Sequence, residues 1–109
     1  MNKICTSIEQ SQKLIKLGID VNTADMCWLY ANGEYFYEVK NGVLDDEDIS
    51  AWSLTALLGL MSKSMISTPN PFSDNYCCRN IEFDTESYGD NPVDAAFETL
   101  SWLLENKKL

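Results

Sequence analysis

The chain has no histidine and a single arginine, Arg79, among 109 residues. Without His the commonest general acid–base group is missing, and nucleophilic triads that depend on it are excluded. Zinc would need a shell of Cys and carboxylates, yet Cys5, Cys27, Cys77 and Cys78 show no Cys-x-x-Cys spacing. They read as free, mostly buried thiols, with the neighbours Cys77 and Cys78 on opposite faces of a strand. Positive charge is equally scarce: eight Lys and Arg stand against seventeen Asp and Glu, a formal charge of −9. A field of that sign repels phosphate backbones and anionic membranes, so direct nucleic-acid and membrane binding are disfavoured and a basic protein surface is the partner left open. No apolar run reaches the roughly 20 residues that span a bilayer, and the start lacks a signal-peptide core, which points to the cytoplasm. No Gly-rich phosphate loop, Gly-x-Ser-x-Gly elbow or paired metal-binding carboxylate motif occurs. The chain therefore reads as non-enzymatic and without a cofactor.

What is present suffices for one domain spanning residues 1–109. Hydrophobic residues make up 45% of the sequence, with three Trp, five Tyr and four Phe to fill a core. The clearest element is the last. Asn91 caps, Pro92 sits at the first helical position and Asp94 adds negative charge near the positive dipole end. Val93, Ala96, Phe97, Leu100, Leu103 and Leu104 then form a buried stripe. Trp102 falls to one side of it, near Ala95 and Asn106, where it either covers a sheet edge or anchors a homodimer.

At the other end, Thr6-Ser-Ile-Glu9 matches a capping box and Leu17-Gly18-Ile19 a helix stop, predicting a helix over about residues 7–17 with Ile8, Leu14, Ile15 and Leu17 as its apolar face. The phrase from Leu14 to Asn22 is like one end of an ankyrin repeat, but no second copy follows, so an array is rejected. From Met26 to Val39 the period changes to two around Asn32-Gly33, a hairpin turn signal. The register sets Tyr30 opposite Tyr35, Trp28 opposite Tyr37 and Met26 opposite Val39. One face then gathers Trp28, Tyr30, Tyr35 and Tyr37, expected to pack across strands and against the helices, with a ligand-stacking platform as the alternative.

Asn41-Gly42 is a second turn signal. Asp45, Asp46, Glu47 and Asp48 precede the apolar run Ile49–Met61, which predicts a central helix whose positive end the acids complement. An EF-hand is excluded, because contiguous acids followed by Ile49 and Trp52 do not supply alternating ligands. Residues 62–75, with Pro69 and Pro71, read as a loop or edge and the segment most free to move, although Met65–Thr68 suits an antiparallel partner for a strand over Tyr76–Thr85. On that strand Glu82 and Asp84 would share a face about 7 Å apart, too common a spacing to signal catalysis. The predicted fold is α+β: three helices on an antiparallel sheet of three to four strands, in the order α-β-β-α-(β)-β-α.

The segments Ile4-Cys-Thr-Ser, Leu17-Gly-Ile-Asp-Val-Asn-Thr-Ala-Asp25, Ile49-Ser-Ala-Trp-Ser-Leu-Thr-Ala-Leu-Leu58 and Asp90-Asn-Pro-Val-Asp-Ala-Ala-Phe97 together resemble short uncharacterised proteins of gut-type anaerobic bacteria and of their phages and prophages. The resemblance covers about half the chain. It implies a phage or mobile-element setting and transfers no functional residue.

Two functional expectations follow, with a structural protein of unknown role as the remaining alternative. The first is an acidic protein-interaction module engaging a basic partner through Asp45, Asp46, Glu47 and Asp48, with Glu82, Asp84 and Glu86 as a second cluster; residues 45–109 carry twelve of the seventeen acids. The second is a binder of a nucleotide-like small molecule, with Trp28, Tyr30, Tyr35 and Tyr37 stacking a ring and Arg79 contacting an anion.

Overall fold

A computed structural model describes residues 3–68 and 75–109, and among them are three α-helices and two three-stranded antiparallel sheets, an α+β fold. The first helix, α1 (Ile8–Lys16), starts at Ser7, whose side chain accepts from the Gln10 N–H while the Gln10 amide returns to the Ser7 N–H. The capping box thus lies one residue later than expected. It ends in a Schellman motif: Gly18, at φ 100°, donates to the Ile15 carbonyl and Ile19 to that of Leu14.

Strands β1 (Met26–Ala31) and β2 (Glu34–Val39) form the hairpin in the expected register, with Asn32 and Gly33 at φ 53° and 81° as a type I′ turn demands. For the apolar run Ile49–Met61 the sequence expectation fails. Ile49–Ala51 is strand β3, paired with β1, and the helix α2 covers only Leu54–Gly59. Ser53 caps that helix by accepting from Ala56 N–H, and is itself held by the Asp25 carboxylate. The apolar run was ambiguous between periods: pairing with β1 claims its first three residues, and the Ser cap sets the helix start. Asp45–Asp48 therefore complement no helix dipole.

The second sheet is the meander β4 (Ser64–Ser67), β5 (Tyr76–Asn80) and β6 (Thr85–Gly89), in the order β4-β5-β6. The partner expected at Met65–Thr68 is β4. The expected strand over Tyr76–Thr85 is instead two strands, because Asn80 folds the chain back: its Oδ1 accepts from Phe83 N–H and its Nδ2 donates to Ser62 O and Ser64 Oγ. Glu82 and Asp84 consequently lie in the β5–β6 turn, not on a strand face. Pro69 and Pro71, on which the expected loop and its mobility rested, lie outside the described residues.

Helix α3 (Pro92–Glu105) begins as predicted, with Asn91 accepting from Asp94 N–H and Pro92 in the first turn. It, and not α2, is the central helix. It lies across the second sheet and against α2, so Ala95, Thr99 and Ser101 are buried in addition to Val93, Ala96, Phe97, Leu100 and Leu103. Each large apolar side chain so buried contributes about 1.5–3 kcal/mol. Leu14, Trp52, Leu57, Met61 and Cys78 complete this core. Trp52 is its junction: the indole N–H donates to Thr23 Oγ1 at 2.9 Å, and its backbone is bonded to Thr6 in both directions. A smaller cluster of Cys5, Met26 and Ala51, with Trp28 against it, ties the first sheet to the chain start.

Candidate functional site

The hairpin places its four aromatic rings on one face, as the period-two pattern requires. Trp28 and Tyr37 meet edge to face at 5.6 Å and Tyr30 and Tyr35 at 5.0 Å. The expectation that helices cover this face is not met. Only Trp28 is partly buried, its indole N–H donating to Thr6 O, while Tyr30, Tyr35 and Tyr37 are 44%, 37% and 51% exposed. The physical reason is β2: it is an edge strand with all six residues exposed, so the hairpin stands away from the core that α3 organises.

The acidic run lies beside those rings. Asp48 Oδ1 accepts from Tyr30 N–H where β3 has ended, so the carboxylate continues the bonding of β1, and Asp48 Oδ2 accepts from Asp45 N–H. The Tyr35 hydroxyl donates to Glu47 O at 3.2 Å. Asp48 is thus committed to holding the loop, whereas Asp45, Asp46 and Glu47 are exposed. Two groups of residues that the sequence assigned to different readings are brought together by the bonds from Tyr30 and Tyr35. Sequence reasoning missed the link because Asp48 acts on a backbone N–H eighteen residues away.

The other candidates lie in the second sheet. Arg79 on β5 pairs with Asp84 at 3.0 Å, so the structure does not place it with the hairpin rings. Glu82 accepts from Ser62 Oγ, and Glu86 accepts from the Cys77 thiol and the Tyr88 hydroxyl. Trp102, on the flank of α3, is 38% exposed.

None of the thiols is primed as a nucleophile. Burial pushes Cys5 up to about 11, and burial also raises Cys27, Cys77 and Cys78, with the Glu86 charge adding to the rise at Cys77. Among the described residues no group of three or more Cys, Asp and Glu side chains is placed to hold a metal ion. A surface hollow of about 530 Å³ lies between β6 and α3, lined by the acids Asp90, Asp94 and Glu98 together with uncharged residues such as Gln10, Ser87 and Tyr88; a second, of about 290 Å³, is lined by Val21, Lys40, Val43 and Ser50 among others. Arg79 lines neither. Among the described residues no helix is long and apolar enough to cross a membrane. Comparison with protein-family models, curated proteins and solved structures gives no match.

Proposed function

We propose that the chain is a non-enzymatic interaction module whose aromatic hairpin face and adjoining acidic loop take a basic segment of a protein partner. The observation that carries this reading is the seating of the Asp45–Asp48 loop against Tyr30 and Tyr35. Exposed ring faces attract Lys and Arg through their quadrupoles, and neighbouring carboxylates reinforce that attraction. A net charge of −9 steers a cationic partner inward from a distance. The resemblance noted in the sequence favours an accessory role in a phage or mobile element. Ring stacking of a nucleotide-like ligand has weaker support, since Arg79 is engaged with Asp84 in the other sheet. A homodimer through Trp102 is a separate proposal, resting on the exposure of that ring.

Titration with a Lys-rich peptide, followed by Trp and Tyr fluorescence, tests the reading. Any acidic protein attracts polycations, so the informative comparison is between two charge-neutralised variants. Asp45→Asn/Asp46→Asn/Glu47→Gln is expected to weaken binding about tenfold or more, and Glu82→Gln/Glu86→Gln far less. Equal losses from both would overturn the assignment of the site.

A further inference from the structure

The first sheet is finished on one side and open on the other. Just past β3 the chain start bridges this side, with Cys5 opposite Ser53 and the Thr6 N–H donating to Trp52 O. Where β3 ends, Asp48 takes the Tyr30 N–H. Among the described residues strand β2 has no such cover. The Lys40 N–H donates to Asp25 O, and alternation from that pair along the continuous register makes Glu34, Phe36 and Glu38 the residues bonded to β1. The backbone N–H and C=O groups of Tyr35, Tyr37 and Val39 therefore point outward.

Edges are ordinarily blunted with charged side chains, Lys above all, with Pro or with a bulge. Strand β2 contains neither Lys nor Pro, and its six pairs with β1 run without a bulge. It carries Glu34 and Glu38, which have no ion pair among the described residues. We infer that the open edge of β2 accepts an extended basic segment of a partner protein as a fourth strand of this sheet, an inference that rests on the interaction-module reading above and goes beyond it by setting the segment's cations against Glu34 and Glu38, on the face opposite the rings.

The two faces of β2 set the sequence such a segment needs. On one face side chains meet the carboxylates of Glu34 and Glu38 with the exposed Phe36 ring between them, and side chains one position on meet Tyr35, Tyr37 and Val39. The complementary pattern is Lys or Arg at every second position with apolar residues between, so backbone bonds supply affinity and the alternation supplies specificity. A second copy of this chain fits less well. Paired at this edge it would set Glu34 and Glu38 of one copy beside those of the other, and the neighbouring cation, Lys40, is already held by Val21 O at 2.8 Å.

The test uses the intact chain and a synthetic alternating Lys-Val peptide, with amide exchange read by NMR. The peptide is expected to slow exchange at Tyr35, Tyr37 and Val39 about tenfold while leaving already protected Phe36 and Glu38 little changed. N-methylation of every second peptide amide, on the edge facing β2, is expected to abolish that protection; a block peptide of the same composition is expected to give none. Peptide binding that shifts the Tyr30 and Tyr35 rings without protecting the edge amides overturns the strand pairing and leaves the interaction surface standing. Absence of any hairpin response overturns both. Protection that grows with protein concentration alone makes a second copy the occupant and overturns the inference.

Discussion

Two hydroxyls in α3 show how a buried polar atom changes sign with its partner. Thr99 Oγ1 donates to the Cys78 carbonyl at 2.8 Å and so fastens the helix to the middle strand of the second sheet. Ser101 Oγ, two residues on, is buried with no hydrogen-bond partner among the described residues. A satisfied buried bond contributes about 1 kcal/mol, whereas an unmade one leaves only the cost of desolvation. Thr99→Val is therefore expected to cost about 1–2 kcal/mol in urea unfolding. Ser101→Ala is expected to stabilise by about 0.5–1 kcal/mol, because it also gains helix propensity. Equal losses from the two would show that Ser101 has a partner after all. Neither role was legible beforehand: both residues stand off the apolar stripe, and only packing on a second flank of α3 buries them.

Local rules decide how much of each element the sequence reveals. The hairpin and α3 were readable because an Asn-Gly turn and an Asn-Pro helix start are specified within a few residues, and the register follows from the turn. Strand β3 was not. Ile49–Ala51 takes its conformation from β1, some twenty residues earlier, and no local signal records that pairing. The split of β5 from β6 was hidden for a related reason, since one side chain, Asn80, organises it. As for the candidate site, its rings were placed correctly but their exposure and their acidic neighbours were not, because both depend on where the hairpin projects. Close approach of elements also yields a prediction. A Cβ added at Gly89 of β6 would lie 2.6 Å from Ala95 N and 2.8 Å from Asp94 Cβ, inside the first turn of α3. Backbone cannot yield as a flexible side chain would, so Gly89→Ala is expected to lose about 3 kcal/mol or more and to lower the urea midpoint.

At the scale of the whole molecule, Asp94 joins the two ends of the chain. Its Oδ1 accepts from Lys3 Nζ at 2.8 Å and Gln10 Nε2 at 2.9 Å, and its Oδ2 from Asn91 Nδ2. Burial alone would raise its pKa; the hydrogen bonds from Lys3, Gln10 and Asn91, with the Lys3 charge, outweigh burial and hold the carboxyl below its ordinary value. A carboxyl depressed on folding contributes stability that is present above its unfolded pKa and is lost as pH falls through its folded one. Asp94→Asn should therefore be less stable than the wild type at neutral pH, with the gap closing as the medium is acidified below the usual carboxylate range. A gap that persists unchanged at low pH would assign the loss to packing. For Trp102, sedimentation across a wide concentration range is expected to show a monomer–dimer equilibrium that Trp102→Ala weakens while leaving the monomer folded; a constant monomer mass overturns the dimer. The open strand β2 has a further consequence for how this molecule can change over generations. Since none of its six side chains is buried, substitutions at Glu34, Phe36, Glu38 and Val39, outside the ring pairs that Tyr35 and Tyr37 make, carry little folding penalty, and the lineage can exchange one binding preference for another at those positions without passing through unstable intermediates.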